Sequence, residues 1–265
     1  GAVIYPLHIP LTETWIFNVL GYWNDALMKI IFGLFFLVLI TIFYSSIRRV
    51  SSRPIAIFST YLLTTLPLLV HHASIEYADF PLSVYFTASA LFLLNYFDSK
   101  SNRYLYLSAA LAGIATWTKS EATPLLLINL ILLSIFYIKS KQELLPAAKN
   151  IFNCFMIVLI FKLPWSILNW VYHIPKSIYQ NIEYEKVFAN IDRLPVIISY
   201  FYNKMFFYGN WNIAWFVFIV ILILSFNRLK EARIFYSLAY ILLFLLALGT
   251  MYYITENYVW LLDGT

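Results

Sequence analysis

The segment His71–Ser83, HHASIEYADFPLS, brings two histidines, a glutamate and an aspartate into nine residues of a chain in which only 12% of residues are charged. If the segment is helical, His72 and Glu76 (i, i+4) share a face, and so do Glu76 and Asp79 (i, i+3). Such a cluster could bind a divalent metal, although its spacing is not that of a zinc motif. Asp79 could instead cap the helix that follows, or it could be a carboxylate that faces a substrate.

Three more charged residues stand out against apolar sequence. Lys119 and Glu121 separate two apolar runs, where they could form a salt-bridged turn, or Lys119 could meet an anionic headgroup or phosphate. Lys162, in FKLPWS, lies inside an apolar run. A lysine within a membrane-spanning helix is a functional candidate, although snorkelling or a partner carboxylate could equally satisfy it. The sequence contains no Gly-rich phosphate loop, Ser/His/Asp order or paired-cysteine motif.

The composition is that of a membrane protein. Of the 265 residues, 62% are hydrophobic and 20% aromatic, whereas soluble domains average about 25% charged residues. The single cysteine, Cys154, excludes a disulfide framework. Although the net charge is +5, the basic residues do not gather on one soluble face, so we expect no nucleic-acid partner.

The apolar runs predict an all-α integral membrane protein with about eight transmembrane helices. A helix needs about 20 apolar residues to span the hydrocarbon. The predicted crossings are 27–46, 54–73, 82–98, 104–118, 122–138, 151–171, 212–226 and 233–252.

The loops between these crossings alternate in charge. Eleven of the 18 Lys and Arg residues lie in SSIRRVSSR, DSKSNR, KSKQELLPAAK and NRLKEAR, which the positive-inside rule places in the cytoplasm. The other loops carry acidic residues and are therefore predicted outside; these residues are Glu76, Asp79, Glu121, Glu183, Glu185, Asp192, Glu256 and Asp263.

We predict one polytopic membrane domain over residues 1–265. Its long extracytoplasmic loop, 172–211, is expected to be partly helical, with VIISYFYNKMFFYGNW either an amphipathic segment at the interface or an ordinary aromatic-rich loop. Because the chain starts outside and without methionine, we expect one crossing to be missing upstream and a further part to be missing at the C-terminus.

The stretch Tyr104–Ile138 is predicted to be a short hairpin. Two crossings need about 40 residues, so 35 residues place the apex, with Lys119 and Glu121, below the outer surface. A single tilted helix would leave both charges in mid-bilayer, at a cost of about 2.5–3.5 kcal/mol each. The hairpin is therefore favoured.

Three stretches resemble GT-C membrane glycosyltransferases, in the branch of the bacterial relatives of protein O-mannosyltransferases and of the lipid A aminoarabinose transferase. They are YPLHIPL (Tyr5–Leu11), YADFPLSVYFTASALFLL (Tyr77–Leu94) and LAGIATWTKSEATPLLL (Leu111–Leu127). Their order and spacing match over most of the chain, although each motif alone is weak.

The resemblance suggests roles for particular residues. Asp79 matches the family's outer-edge aspartate, and Lys119 with Glu121 matches its TKxE element. Ala122 stands where a glycine is usual, and Lys162 matches no position of the family pattern. From these matches we expect Asp79 to be catalytic, and Lys119 and Glu121 to bind substrate. From their positions alone we add Glu76 as a second catalytic residue and Lys162 as a further substrate-binding residue.

The resemblance implies an inverting sugar transfer from a polyprenyl-phosphate donor to a protein, lipid or glycan acceptor at the outer face of the cytoplasmic membrane. The main general base is expected upstream of Gly1, with Glu13 in reserve. The sequence identifies no cofactor, although a divalent metal held by His72, Glu76 and Asp79 could assist. The alternatives are a secondary transporter, which favours internal repeats that are absent here, and a non-catalytic lipid-binding protein.

Overall fold

The computed structural model describes residues 6–174 and 190–255, which belong to two compact units, Gly1–His173 and Ile174–Thr265. Both units are helical. The helices of the first unit are α1 (His8–Leu20), α2 (Asp25–Met28), α3 (Ile30–Arg48), α4 (Arg53–Thr64), α5 (Pro67–His72), α6 (Asp79–Ser99), α7 (Asn102–Thr118), α8 (Ala122–Lys139) and α9 (Leu144–Val171). Those of the second unit are α10 (Arg193–Phe206), α11 (Ala214–Leu224) and α12 (Ala232–Ile254).

The all-α membrane architecture predicted from the apolar runs is confirmed. Five stretches in the described part of the chain are long and apolar enough to span a membrane: Asp25–Arg48, Asp79–Ser99, Ala122–Lys139, Leu144–Val171 and Ala232–Ile254. The count of eight crossings stays a prediction, because α4, α7 and α11 have only 12, 17 and 11 residues. The single domain over residues 1–265 also stays a prediction.

The hairpin expected over Tyr104–Ile138 is present. Helix α7 ends at Thr118 and α8 begins at Ala122, with a turn between them that contains Lys119 and Glu121. At a rise of about 1.5 Å per residue the two arms are about 25 and 27 Å long, and a bilayer's hydrocarbon is about 30 Å thick. The two charges therefore lie at an end of the hairpin.

The crossing predicted at 54–73 is wrong as a single helix. The chain leaves helical geometry at Thr65 and Leu66 and resumes it at Pro67. Proline has no N–H to donate and disfavours the helical conformation in the residue before it. Leu66 is extended, with ψ 113°, and Pro67 takes the first position of α5.

Buried and partly buried hydrogen bonds join α6, α7 and α8. The Ser89 hydroxyl of α6 donates to the Ser108 carbonyl of α7 at 2.9 Å, and the Asn129 amide of α8 donates to the Ser89 hydroxyl at 2.9 Å. Further along, the hydroxyls of Tyr96 and Tyr137 lie 2.9 Å apart. Buried polar groups must be paired in an apolar environment, so these bonds fix the register of the three helices.

Helices α7 and α9 approach closely at Gly113. A methyl group built there would lie 2.8 Å from Phe161 Cδ2 and 3.2 Å from Val158 Cα. The missing side chain of glycine lets the backbones pack at this distance.

Helix α1 is an element that the apolar runs did not predict. Its buried residue Ile9 joins a core cluster with Phe32 and Phe80. On another side Leu11, Trp15 and Val19 are exposed. Their i, i+4, i+8 spacing makes one apolar stripe, which is typical of a helix that lies in a membrane interface.

In the second unit, α10 packs on α12 through Ile197 and Tyr252. The guanidinium of Arg193 donates to the carbonyl of Tyr253, in the last turn of α12, at 3.3 Å and to that of Thr255, just beyond the helix, at 2.9 Å. Residues 193–206 of the predicted long loop are therefore helical. Residues 175–189 lie outside the described part.

Candidate functional site

Three helix ends meet at one end of the first unit. Because α6 and α7 are consecutive and antiparallel, the start of α6 at Asp79 lies beside the end of α7 at Thr118. Helix α8 begins at Ala122, next to both. The turn between α7 and α8 thereby brings Lys119 and Glu121 to Asp79.

Lys119 is the centre of this cluster. Its Nζ lies 2.7 Å from Asp79 Oδ1 and 3.3 Å from Glu121 Oε1. The Lys119 side chain is only 14% exposed, whereas those of Asp79 and Glu121 are 54% and 38% exposed. The cation is thus shielded beneath two carboxylates that remain open to the surroundings.

The backbone of the turn holds Lys119 in place. Its N–H still donates to the Ala115 carbonyl at 3.1 Å, although its own backbone is extended with φ −156° and ψ 146°. The Lys119 carbonyl then accepts from the N–H of Ala122 at 3.2 Å. Since Ala122 is fully buried, the turn is anchored from below.

The segment His71–Ser83 differs from two expectations. Helix α5 ends at His72, and residues 73–78 are not helical, so the proposed shared helix face of His72, Glu76 and Asp79 is wrong. Asp79 begins α6 as its first residue and makes no side-chain cap. Its carboxylate bonds Lys119 instead, and its negative charge also suits the positive end of the helix dipole.

No metal centre is seen in the described residues: they contain no group of three or more His, Cys, Asp or Glu side chains able to hold an ion. Without the shared helix face, His72, Glu76 and Asp79 lack the arrangement that suggested one. The Nδ1 atom of His72 is buried and has no hydrogen-bond partner among these residues.

Glu13 and Glu76 form a second acidic region. Burial raises the pKa of Glu13 above its ordinary value, and the negative charge of Glu76 raises it further. Helix α1 therefore brings its single carboxylate into the field of the loop that precedes α6. Lys162, by contrast, is half-buried on α9 and forms no ion pair with another described residue.

Sequence reasoning missed four aromatic or hydroxyl residues beside this site. His8 Nδ1 lies 2.9 Å from Thr118 Oγ1. The His8 ring stacks on Trp117 with centroids 5.4 Å apart, and it lies 5.5 Å from the ring of Tyr85. The only signal in the sequence was the position of His8 in YPLHIPL, which does not indicate a partner 110 residues away.

The fold and the charged cluster define a multi-pass helical membrane protein with a polar site at one end of its helices. Residues 6–168 match the family model of the dolichyl-phosphate-mannose-protein mannosyltransferases, and since this is more than half of the chain, the protein belongs to that family. It is therefore a membrane glycosyltransferase of the mannosyltransferase type. No curated protein and no solved structure matches the chain significantly.

Proposed function

We propose that the protein transfers a sugar from a polyprenyl-phosphate donor to an acceptor on the extracytoplasmic side of the cytoplasmic membrane, with inversion at the anomeric carbon. The supporting observation is the shielded Lys119 ammonium, held between Asp79 and Glu121 in the turn of a membrane hairpin. The family name describes proteins that act with dolichyl-phosphate-mannose, itself a polyprenyl-phosphate-linked sugar.

In this reaction the bond between the anomeric carbon and the phosphate oxygen breaks, and the lipid phosphate leaves with an added negative charge. A positioned cation stabilises such a charge most strongly where water is excluded. Glu121 is the more distant partner of Lys119, at 3.3 Å against 2.7 Å for Asp79. We expect the phosphate to displace Glu121 first, while Asp79 keeps Lys119 in place.

The acceptor hydroxyl loses a proton as it attacks, and a carboxylate is the expected base. Asp79 is the first candidate in this chain, because it touches Lys119 yet remains 54% exposed. Glu76 is the second. Lys162 is proposed to bind the donor from α9, where it lies about 14 Å along the helix from Val171.

The acceptor is proposed to be a protein, a lipid or a glycan outside the membrane, and the lipid bilayer delivers the donor. The charge pattern supports this orientation: the cluster lies at the end of the bundle opposite the loop that holds Lys100, one of the predicted cytoplasmic loops.

Turnover by the complete protein in nanodiscs, with a polyprenyl-phosphate mannose as donor, tests the proposal. Asp79→Asn should lower turnover about 100-fold or more without lowering the folded yield, since asparagine preserves shape. Asp98→Asn, on the exposed opposite end of the same helix, is the matched control and should retain activity.

Near-normal turnover of Asp79→Asn would contradict the catalytic role of this carboxylate. Substrate-dependent uptake into vesicles without any sugar transfer would instead support the transporter.

A further inference from the structure

His8 begins α1 and reaches the end of α7. Its Nδ1 lies 2.9 Å from the hydroxyl oxygen of Thr118, a residue that is 1% exposed. Thr118 is the last residue of α7 and directly precedes Lys119. The contact therefore joins the first helix of the chain to the residue next to the shielded cation.

The direction of this hydrogen bond follows from the second bond of Thr118. Its hydroxyl donates its one hydrogen to the Ile114 carbonyl at 3.0 Å. Toward His8 the oxygen can then only accept, so His8 Nδ1 carries a proton. Burial lowers the pKa of His8, which favours the neutral ring. In that tautomer Nε2 carries the lone pair.

The surroundings of the ring allow little rotation. Trp117 stacks on one face with an interplanar angle of 23°, and Tyr85 packs at 49°. Two helices thus clamp the imidazole, with Trp117 contributed by α7 and Tyr85 by α6. The bond to Thr118 is held by this packing as well as by its own geometry.

We propose that the His8–Thr118 hydrogen bond is a positioning contact that fixes α1 against the end of α7 and thereby sets where Lys119 meets the donor phosphate. The inference rests on the proposed function. His8 acts through Lys119: it holds the turn that presents the ammonium. If the bond is lost, His8 Nδ1 becomes an unpaired polar group, whereas the Thr118 hydroxyl keeps its bond to the Ile114 carbonyl.

Paired substitutions in the complete protein test the role of each ring nitrogen. His8→Asn places an N–H near the position of Nδ1, whereas His8→Gln reaches toward the position of Nε2. We expect His8→Asn to retain most of the kcat/KM for the donor and His8→Gln to lose about 10-fold, mainly through KM. Thr118→Ser should retain activity and Thr118→Val should match the loss of His8→Gln.

Two further comparisons separate positioning from general stability. His8→Gln combined with Thr118→Val should be no worse than either change alone, because both remove one bond. In a Lys119→Met background, His8→Gln should cause no further loss. Additive losses in that background, or a His8→Gln variant more active than His8→Asn, would overturn the proposal. Should His8→Gln fail to fold, the Thr118 pair carries the same test.

A measurement without turnover keeps this inference distinct from the proposed function. The chain has four histidines, so histidine-selective ¹⁵N labelling in nanodiscs can resolve the nitrogens of His8, with His8→Asn to assign them. We expect Nδ1 protonated and Nε2 unprotonated at neutral pH. An unprotonated Nδ1, as in the opposite tautomer, would overturn the positioning bond even in an active enzyme. If the tautomer is as expected but no donor turns over, only the proposed function fails.

Discussion

The two ends of the helical bundle in the first unit use charge in opposite ways. At one end Lys119 is shielded and lies within 3.3 Å of two carboxylates. At the other end the basic residues are exposed; they include Arg48, Arg49, Arg53, Lys100, Arg103, Lys139 and Lys141. Arg49 donates to the Tyr104 hydroxyl at 2.6 Å, in an exposed hydrogen bond, and its guanidinium also lies over the ring of Tyr104.

This difference distinguishes a charge at a functional site, Lys119, from the exposed basic residues that only set the orientation of the protein in the membrane. Cations that stay in water lose little hydration, and they suffice to orient a membrane protein. Shielding the ammonium of Lys119 costs hydration, and the attraction of paired carboxylates need not offset such a cost in full. A cost of this kind at one helix end is typical of a functional site, where pre-organised charge serves a substrate rather than stability.

The largest expected difference between the two ends is the side of the membrane that each of them faces. In a Cys154→Ser background, a membrane-impermeant maleimide added to intact cells should label Ser74→Cys, in the exposed loop before α6, and leave Ser101→Cys, at the basic end, unlabelled. Both should react after permeabilisation. Labelling at position 101 in intact cells would reverse the assigned orientation.

A matched pair of lysines compares the two ends chemically. Lys119→Met keeps the aliphatic stem and deletes the cation, so we expect kcat/KM for the donor to fall on the order of 100-fold. Lys100→Met removes an exposed cation at the opposite end and should change it less than about 2-fold. Equal effects would mean that Lys119 is only a salt-bridge partner.

The packing of α7, the helix that ends next to Lys119, against α9 can be tested by substituting two glycines. Gly113→Ala should lower the free energy of unfolding by about 1–3 kcal/mol, because the new methyl group meets Phe161 and the backbone of Val158. Gly33→Ala, in α3, meets nothing within 4 Å and should raise it by up to about 1 kcal/mol. Thermal unfolding in detergent measures both, and a stabilising Gly113→Ala would contradict the close approach of α7 and α9.

The smallest expected effect concerns Glu13. Its pKa is raised in the folded protein by burial and by Glu76, so its protonated form is favoured by folding, and stability falls as pH rises through that value. Glu13→Gln cannot ionise and should raise the unfolding temperature on the order of 1 °C at pH 7. The gain should vanish below the ordinary pKa of 4.5, and Glu76→Gln should reproduce part of it. A gain that persists in acid would contradict this account.

Much of the charged end could be predicted from the sequence. The hairpin around Lys119 follows from the cost of burying two charges in mid-bilayer. Pro81, which suits the first turn of a helix, is a local signal that Asp79 lies at a helix start. Both features could be predicted because each depends only on residues that are close together in the sequence. The break before Pro67 also had a local signal, but a search for runs of about 20 apolar residues passes over it.

The parts that were missed depend on distant or weakly marked contacts. Helix α1 is too short to span a membrane; its signals were the spacing of Leu11, Trp15 and Val19 and the stop at Gly21, whose φ is +73°. Nothing near His8 or Thr118 indicates that they meet. Their contact depends on how α1 packs against α7, which is determined by tertiary structure rather than by neighbouring residues in the sequence.

Because the stripe on α1 is exposed, the curvature of the bilayer or micelle around the protein should affect the site. Leu11, Trp15 and Val19 suit a planar layer of headgroups, and interfacial helices respond to curvature and lipid composition. A small micelle presents a strongly curved surface to the same stripe, which should shift α1, the helix that carries His8, relative to α7. Solubilised protein and bilayer-embedded protein should therefore differ in how firmly Lys119 is held, even when both are fully folded.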